Sequence, residues 1–418
     1  MQQAALSRGR ANLVLAALFL GAFVLGIPEL LVVGVLDLIA ADLRVSVPAA
    51  GALVTAYALG LAVGGPILTA LTIKLDRRTV LICALALSVV GNLVAVLTSG
   101  YGPFLAARTL TGALEGLFIA AAIAAGMSLV PPERAGRAIS AVVSGFAVSA
   151  ATGVPLGTLV GQALGWRGSF AAIVVLATIA LIAALALVPS VPGTGGASDQ
   201  ARHAFAPRVL AVLGLFFLVF SSVYAALTYI VPFLEGVTGV SGAPVSLFLL
   251  AYGVATAAGS FGGGRFADEN AARTLIVATL GVAASLLMLF LVGAVAFLVA
   301  PALVALGLFA MGMAPSLQYR VVSLAGPGGA LAQSLPASAA NAGIAFGSVA
   351  GGVAIGTFTV SSAVLTGLVI AAMAIPVAWA TSLLKPPVVE QVAVPAAAES
   401  ILKSARHGPE DTRDRGTR

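Results

Sequence analysis

Twelve long apolar segments dominate this chain of 418 residues, and most of the polar or Gly/Pro-containing breaks between them are short. A helix that crosses a bilayer needs about 20 mostly apolar residues, so twelve spans would occupy ~240–290 residues and leave short loops. We therefore predict an all-α integral membrane protein with twelve transmembrane helices. The segments cover residues 12–36, 48–73, 79–98, 101–130, 137–164, 168–188, 208–235, 243–266, 272–293, 296–319, 331–359 and 362–384.

The composition excludes most classes of soluble protein. Hydrophobic residues make up 60% of the chain and charged residues 9%, whereas soluble domains carry about 45–50% and roughly 25%. Too little polar surface remains to cover a water-soluble particle, so a cytosolic enzyme, a nucleic-acid-binding protein and a disordered chain are all poor interpretations. The formal net charge of +6 comes from cations in loops and does not indicate nucleic-acid binding.

A polar stretch rich in proline, glycine and serine, residues 189–207, separates the sixth and seventh segments. This stretch predicts a cytoplasmic linker between two six-helix halves, residues 1–188 and 208–385. The chain becomes polar after residue 385, so we predict a disordered cytoplasmic tail over 386–418.

The two halves repeat each other in sequence. A shift of 195 positions places Tyr57 on Tyr252 and Gly64 on Gly259, and both pairs lie in the second segment of their half. Chance matching in apolar sequence is the alternative explanation. Membrane transporters are often built from such repeats and hold their substrate between them near the bilayer midplane.

The lysines and arginines predict the orientation, because cytoplasmic loops carry an excess of both residues. If the N-terminus is cytoplasmic, eighteen of the 21 cations lie inside, Arg44 and Arg167 lie outside, and Arg108 lies within a segment. We therefore expect a multi-pass protein of a bacterial cytoplasmic membrane with both termini in the cytoplasm.

The loops after the second segment of each half resemble a known signature. Residues 264–268 read G-R-F-A-D, which is similar to the opening of the G-x-L-A-D-R-x-G-R-R signature of the major facilitator superfamily. In the first half the cations remain, but Ile73 stands where the signature has its acid and Asp76 occupies a glycine position. Contacts between these loops could favour an outward-facing state, or the cations could only set the topology. The candidate gating residues are Lys74, Arg77, Arg78, Arg265 and Asp268.

Two further elements strengthen this resemblance. Residues 108–112 read R-T-L-T-G, similar to the R-x-x-x-G element of the family, and residues 153–161 resemble its glycine–proline antiporter motif. Over residues 10–385 the chain resembles the twelve-span drug:proton antiporter branch, and most closely its arabinose-efflux, chloramphenicol-resistance and nucleoside-export group. This resemblance implies two pseudo-symmetric six-helix halves that alternate in access.

Three ionisable side chains lie well inside the segments: Glu29, Arg108 and Glu115. A charge in the middle of a bilayer costs about 2.5–3.5 kcal/mol on the insertion scale, so such residues tend to face a cavity and to have a function. Glu29 and Arg108 are expected at similar depth, roughly 10 Å from the outer surface at 1.5 Å per residue. Arg108, Thr111, Gly112 and Glu115 recur on one helix face and predict a cavity lining.

The glutamates are the candidates for proton coupling. A carboxyl group in an apolar cavity beside a movable arginine can hold a proton in one conformation and lose it in another. Glu29 is the first candidate, because the resemblance supports an acid at this position. The alternative is a fixed ion pair between Glu29 and Arg108. The candidate polar residues of the C-terminal cavity wall are Tyr224, Thr228, Tyr229 and Asn341.

Small residues recur every four residues in the fifth segment, where Ser149 stands between Gly145 and Gly153, and glycines do so in the eleventh. Small residues at this spacing let helices approach closely and slide, although the same pattern also suits static packing. A proline within the fifth segment removes one backbone hydrogen bond. The residues are Gly145, Gly153, Pro155, Gly157 and Gly161 in the fifth segment, and Gly343, Gly347 and Gly351 in the eleventh.

Together these features predict proton-coupled efflux, by alternating access, of a small organic molecule such as a drug, a sugar or a nucleoside. We expect a monomer in the lipid bilayer that is driven by the proton gradient and uses no cofactor, metal or nucleic acid. A passive facilitator or importer on the same fold is the nearest alternative, and a non-transporting receptor or scaffold is a more distant one. An enzyme is disfavoured because the sequence shows no catalytic grouping.

Overall fold

The computed structural model contains twelve helices that are long and apolar enough to cross a membrane, which confirms the predicted fold class. It describes residues 8–129, 141–192 without 143 and 147, 206–325, 332 and 335–385. Within these ranges no residue lies in a strand. The helices, named spans 1 to 12, are Gly9–Gly34, Val47–Thr72, Arg77–Leu97, Tyr101–Ser128, Ser144–Leu164, Trp166–Leu187, Pro207–Leu227, Ala243–Gly263, Asn270–Val292, Ala296–Ala325, Leu335–Thr357 and Ser361–Ser382.

The spans begin and end close to the predicted limits, with informative differences after spans 1 and 7. Span 1 stops at Gly34 and is followed by the short helix Leu36–Leu43. Span 7 stops at Leu227, and the chain continues through the short helix Ile230–Phe233 and a π-helical turn, Leu234–Thr238. Most of the predicted linker, 193–205, and the predicted tail, 386–418, lie outside the described residues.

The two halves pack their own helices in the same way. A Cβ atom on Gly112 of span 4 would lie 2.1 Å from the carbonyl oxygen of Tyr57 of span 2. A Cβ atom on Gly307 of span 10 would lie 2.8 Å from the carbonyl oxygen of Tyr252 of span 8. Each pair is related by the shift of 195 positions, so the sequence repeat is also a repeat of helix contacts.

The halves meet where span 2 begins and span 11 ends. The Ser348 hydroxyl donates to the Gly51 carbonyl across the halves at 3.0 Å, and the Tyr229 hydroxyl donates to the Ser348 carbonyl at 2.8 Å. A Cβ atom on Gly51 or Gly352 would lie 2.3 or 2.4 Å from the Tyr229 hydroxyl oxygen. These four residues, named the Tyr229 seal, close the bundle at the end that carries the loop between spans 1 and 2.

Candidate functional site

A cavity of about 180 Å³ lies between the halves. Of its described lining residues only Glu29 is charged, and Tyr224, its equivalent under the shift of 195, lies in the same lining. The seal lies toward the end opposite the basic loops. Phe146 and Ser260 of the lining lie near the ends of spans 5 and 8 that join basic loops, so this cavity lies on the side of the basic loops. The lining comprises Glu29, Leu30, Phe146, Phe220, Val223, Tyr224, Tyr252, Thr256, Ala257, Ser260, Ala310 and Met311.

A second cavity, of about 680 Å³, lies between spans 8, 9 and 10 but faces away from the halves' interface. Thr256 and Ser260 line the central cavity, whereas Ala258 and Gly262 line this second one. Two residues correspond to about 200° around an α-helix, so the two cavities lie on opposite faces of span 8. The larger cavity is therefore not the candidate transport site.

Behind the cavity lies a buried cluster of Tyr57, Arg108 and Glu115. These three residues are 2%, 1% and 1% exposed, respectively. The Arg108 guanidinium carbon lies 4.0 Å from the centroid of the Tyr57 ring, and its Nε atom donates to the Leu53 carbonyl at 3.4 Å. The Tyr57 hydroxyl is hydrogen-bonded to Glu115 Oε2 and lies 3.0 Å from the Leu25 carbonyl oxygen.

Two glycines build this cluster by bringing spans 2 and 4 together. A Cβ atom on Gly60 would lie 2.1 Å from the Thr109 carbonyl oxygen. A Cβ atom on Gly112 would lie 2.1 Å from the Tyr57 carbonyl oxygen. Span 2 also contains a π-helical turn over Gly60–Gly64, a feature frequent at functional sites. The backbone contact places the Tyr57 ring between Arg108 and Glu115, which lie two helical turns apart on one face.

Glu29 and Arg108 do not form the fixed ion pair that the sequence left open. Among the described residues the structure contains one ion pair, between Asp42 and Arg167. Both terminal nitrogens of Arg108 are buried without a hydrogen-bond acceptor, and Glu29 remains partly exposed to the cavity. The arginine is therefore available to a carboxylate that moves toward it.

The predicted polar residues are placed at different depths. Of the C-terminal set, Tyr224 lines the cavity, whereas Tyr229 lies in the seal and Thr228 is fully buried outside the lining. The Asn341 side-chain nitrogen donates to the Ala337 carbonyl of its own helix at 3.0 Å. Thr111 likewise donates to its own helix, to the Ala107 carbonyl at 2.9 Å.

Three residues of the site were not predicted from the sequence: Tyr57 in the cluster, and Tyr252 and Thr256 in the cavity lining. The equivalence of Tyr57 and Tyr252 under the repeat was the available signal. A tyrosine that recurs at equivalent positions of the two halves is a candidate site residue in each half.

The glycine rows pack inside the halves rather than between them. Cβ atoms on Gly153 and Gly157 of span 5 would contact side chains of span 1, and one on Gly145 would lie 2.6 Å from the Phe19 carbonyl oxygen of span 1. A Cβ atom on Gly161 would contact Val35, just after span 1, and Ser169 of span 6. Pro155 is buried in the same stretch of span 5. The structure thus places this row in a contact within one half, and sliding of the helices at this contact stays a prediction.

The same arrangement holds span 11 against span 7. Cβ atoms on Gly343, Gly347 and Gly351 would lie 2.4, 2.2 and 2.4 Å from carbonyl oxygens of span 7. This row therefore also packs within one half, and its role in sliding stays a prediction.

The basic loop after span 2 stabilises helix ends. Arg77 donates to the Ile73 carbonyl at 3.1 Å, and Arg78 donates to the Leu185 carbonyl near the end of span 6 at 2.8 Å. Cations at helix C-termini are favourable because the last carbonyls lack partners. Lys74 is exposed, and the side chains of Arg265 and Asp268 lie outside the described residues, so a gating contact between the two loops stays a prediction.

Asp76, at the glycine position of the signature, begins span 3. Its carboxylate accepts hydrogen bonds from the Thr79 backbone N–H at 3.2 Å and from the Ser190 hydroxyl. Burial tends to raise the pKa of Asp76, but these hydrogen bonds outweigh it and lower the pKa below its usual value. In the described conformation Asp76 therefore serves as a helix cap rather than as a gating acid.

Comparison with known proteins identifies the family. The family model of the Major Facilitator Superfamily matches residues 18–332. The chain belongs to the Major Facilitator Superfamily. This member of the superfamily is a multi-pass membrane transporter and not an enzyme, as the family match and its relatives indicate.

Among the relatives of this superfamily member, the uncharacterized MFS-type transporter YtbD of Bacillus subtilis (strain 168) is 34% identical over 393 residues, 89% of this chain and 96% of that protein. A chloramphenicol efflux pump of Mycobacterium tuberculosis (strain CDC 1551 / Oshkosh) is 30% identical over 352 residues, 81% of this chain and 84% of that protein. A crystal structure of a bacterial homologue of the human lysosomal transporter Spinster, described as inward-facing and unoccupied, shares the fold. Its TM-score is 0.73 at 16% identity, and the match covers 90% of this chain and 98% of that one.

Proposed function

We propose that this transporter exports a small organic molecule across the bacterial cytoplasmic membrane in exchange for protons. The observation that carries the proposal is the placement of Glu29 and Arg108. Glu29 is the one charged residue among the described residues that line the cavity between the halves, and Arg108 is buried behind it with two nitrogens lacking acceptors. A carboxyl group that alternates between an apolar cavity and a nearby cation binds and releases a proton as it moves.

The direction of access follows from the seal and the cations. The excess of lysine and arginine on the loops of one end supports a cytoplasmic assignment for that end. The Tyr229 seal then closes the outer side, and the cavity belongs to an inward-facing state. The Spinster homologue of similar fold, described as inward-facing, supports the same assignment. A cavity of about 180 Å³ is smaller than the roughly 300–1,000 Å³ of drug-sized sites, so binding requires the halves to separate further.

The cavity chemistry favours a neutral or cationic amphipathic solute. Hydroxyl groups of Tyr224, Tyr252 and Thr256 offer hydrogen bonds, and the rings of Phe146 and Phe220 offer apolar surface. An anionic solute would be repelled by an ionised Glu29. A drug, a sugar or a nucleoside meets these requirements, and the chloramphenicol efflux pump among the relatives makes chloramphenicol the first probe.

The test measures chloramphenicol efflux from cells that lack other pumps, with and without a proton gradient. We expect uphill efflux that stops when the gradient is dissipated, and its loss in Glu29→Gln. Glu235→Gln serves as the matched control, because Glu235 is exposed and lies outside the cavity lining. Uphill efflux that persists in Glu29→Gln would remove the coupling role of Glu29. Efflux down the concentration gradient alone would support a passive facilitator instead.

A further inference from the structure

The Tyr57 hydroxyl oxygen lies between two oxygen atoms that compete for its single proton. One is the Leu25 carbonyl oxygen at 3.0 Å, and the other is Glu115 Oε2. A carbonyl oxygen only accepts hydrogen bonds, an ionised carboxylate also only accepts, and a phenol has one proton to donate. All three residues are at most 2% exposed, so water does not reach them to supply a further proton.

A protonated Glu115 satisfies every group of this arrangement. Its O–H donates to the Tyr57 oxygen, and the Tyr57 O–H donates to the Leu25 carbonyl. If Glu115 were ionised, the Tyr57 O–H would be the one donor that the described residues offer to its carboxylate. The Leu25 carbonyl lies inside the helix Arg8–Gly34 and has a backbone donor of its own, but a buried carboxylate with a single donor and no bonded cation is costly.

The charges of the cluster lead to the same assignment. Within the described part of the chain, Arg108 is the one cation near the two glutamates, so it balances only one negative charge. Glu29 is partly exposed to the cavity, whereas Glu115 is 1% exposed. An ion is far less costly where water can solvate it, so the negative charge belongs on Glu29. The Arg108 nitrogens do not bond to Glu115, because the Tyr57 ring lies between them, so no hydrogen-bonded cation would offset a charge on Glu115 in this conformation.

We infer that Glu115 is a second proton-binding site of the transporter, loaded in this conformation, and that Tyr57 is the residue that positions it. The inference rests on the proposed proton coupling and specifies where the second proton is held. The titratable groups around Glu115 are Glu29 on span 1, Tyr57 on span 2, Tyr224 on span 7 and Arg108 on its own span. When Glu115 gives its proton to water in an opened cavity, the carboxylate becomes an acceptor for the unpartnered Arg108 nitrogens.

Infrared spectroscopy of the full-length protein in lipid nanodiscs tests this without a substrate. The C=O stretch of a protonated carboxyl group is separate from the bands of a carboxylate. We expect the wild type to show this band at neutral pH, Glu115→Gln to lose it and Glu29→Gln to keep it. Tyr57→Phe should keep the band and shift its frequency, because one hydrogen-bond partner is removed. A merely structural Tyr57 would leave the frequency unchanged.

Protein stability provides a second readout. A glutamine amide at position 115 can donate to the Tyr57 oxygen as a protonated glutamate does, so Glu115→Gln should fold with an unchanged thermal midpoint. Glu115→Ala should lower that midpoint. If Glu115→Gln lowered the midpoint as much as Glu115→Ala, or if the wild type lacked the carboxyl band at neutral pH, the inference would be wrong.

The outcomes separate this inference from the proposed function. A band that Glu115→Gln removes, together with chloramphenicol efflux that ignores the proton gradient, would refute proton coupling and leave the protonation of Glu115 established. Gradient-driven efflux together with a wild type that lacks the carboxyl band would refute the protonation of Glu115 and leave proton coupling supported.

Discussion

In the N-terminal half Gly112 packs on the backbone of Tyr57, and in the C-terminal half Gly307 packs on the backbone of Tyr252. The helix framework is thus the same, but what it holds is different. The shift of 195 that relates the two glycines places Leu303 at the position of Arg108 and Ala310 at that of Glu115. One half buries charged side chains at the crossing of two helices, whereas these two equivalent positions of the other half are apolar.

This difference shows how the two halves of a duplicated fold can carry different functional groups. The N-terminal half carries the groups that can titrate, Glu29 and Glu115, while the C-terminal half supplies Tyr224 and Tyr252 to the cavity wall. Hydroxyl groups of tyrosine bind solutes without changing charge near neutral pH. Under the proposed function, proton binding and solute binding belong to different halves and can therefore change independently in the course of evolution, provided that the helix crossing is kept.

The largest expected effect tests whether both halves depend on that crossing. Gly112→Ala would place a methyl group 2.1 Å from a backbone oxygen, and Gly307→Ala one at 2.8 Å. Overpacking of this kind costs about 1–3 kcal/mol and occasionally more. We expect Gly112→Ala to lower the thermal midpoint strongly and Gly307→Ala less. Gly102→Ala on the same span is the control, because a Cβ atom there would have no atom within 4 Å, and it should leave the thermal midpoint unchanged. Equal midpoints for Gly112→Ala and Gly102→Ala would show that the crossing is not required.

The second prediction concerns the contact between the halves. Gly51→Ala would bring a methyl group within 2.3 Å of the Tyr229 hydroxyl oxygen and should open the Tyr229 seal. Opening is measured by labelling Thr256→Cys, in a Cys83→Ser background, with a membrane-impermeant maleimide added outside intact cells. A shift of about 1.4 kcal/mol in the closing equilibrium would raise the labelling rate about tenfold.

Gly356→Ala is the control for this experiment, because its Cβ would meet only Pro48 Cγ at an ordinary 3.8 Å. A rate that rises equally in both variants, or in neither, would show that the seal does not control outer access.

The third prediction uses an acid that the C-terminal half lacks, since Pro232 stands at the position equivalent to Asp37. Burial, and then the charge of Glu235, raise the pKa of Asp37 from 3.8 to about 6. The folded protein therefore binds this proton more tightly than the unfolded chain does, so ionisation of Asp37 destabilises the fold as pH rises from 3.8 to about 6. Asp37→Asn should raise the thermal midpoint above this range and have little effect below it. A gain that is the same at every pH would contradict the role of the charge.

Much of the fold could be predicted from the sequence, because span length and hydropathy are local properties. The end of span 7 was less predictable: the apolar run continues to residue 235, but the helix stops at Leu227, since Tyr229 has non-helical backbone angles where it fills the Tyr229 seal. Pro232 lacks the N–H that would bond to the Thr228 carbonyl and so favours a break at this point, which hydropathy alone does not register.

The candidate site was predictable to the extent that burial of charge is costly. That cost alone singles out Glu29, Arg108 and Glu115 in an apolar chain. Tyr57 is an ordinary residue in a membrane span and gains its place only from the close approach at Gly112. Helix rotation, which the sequence does not give for Thr228 and Asn341, decides which polar side chains reach the cavity.

The smallest expected effect concerns the ion pair of Asp42 and Arg167, a pair replaced by Val237 and Ser362 at the equivalent positions of the C-terminal half. Hydrogen bonds from Arg167 and Trp166 lower the pKa of Asp42, so the pair stabilises the fold above the usual aspartate range and loses this effect as pH falls through the lowered value. Both side chains are substantially exposed, and exposed pairs contribute about 0–1 kcal/mol. Asp42→Asn should therefore lower the thermal midpoint only slightly at neutral pH, and less as the medium is acidified. A large loss that persists in acid would mean that the Asp42 side chain stabilises this end of the N-terminal half by something other than its charge.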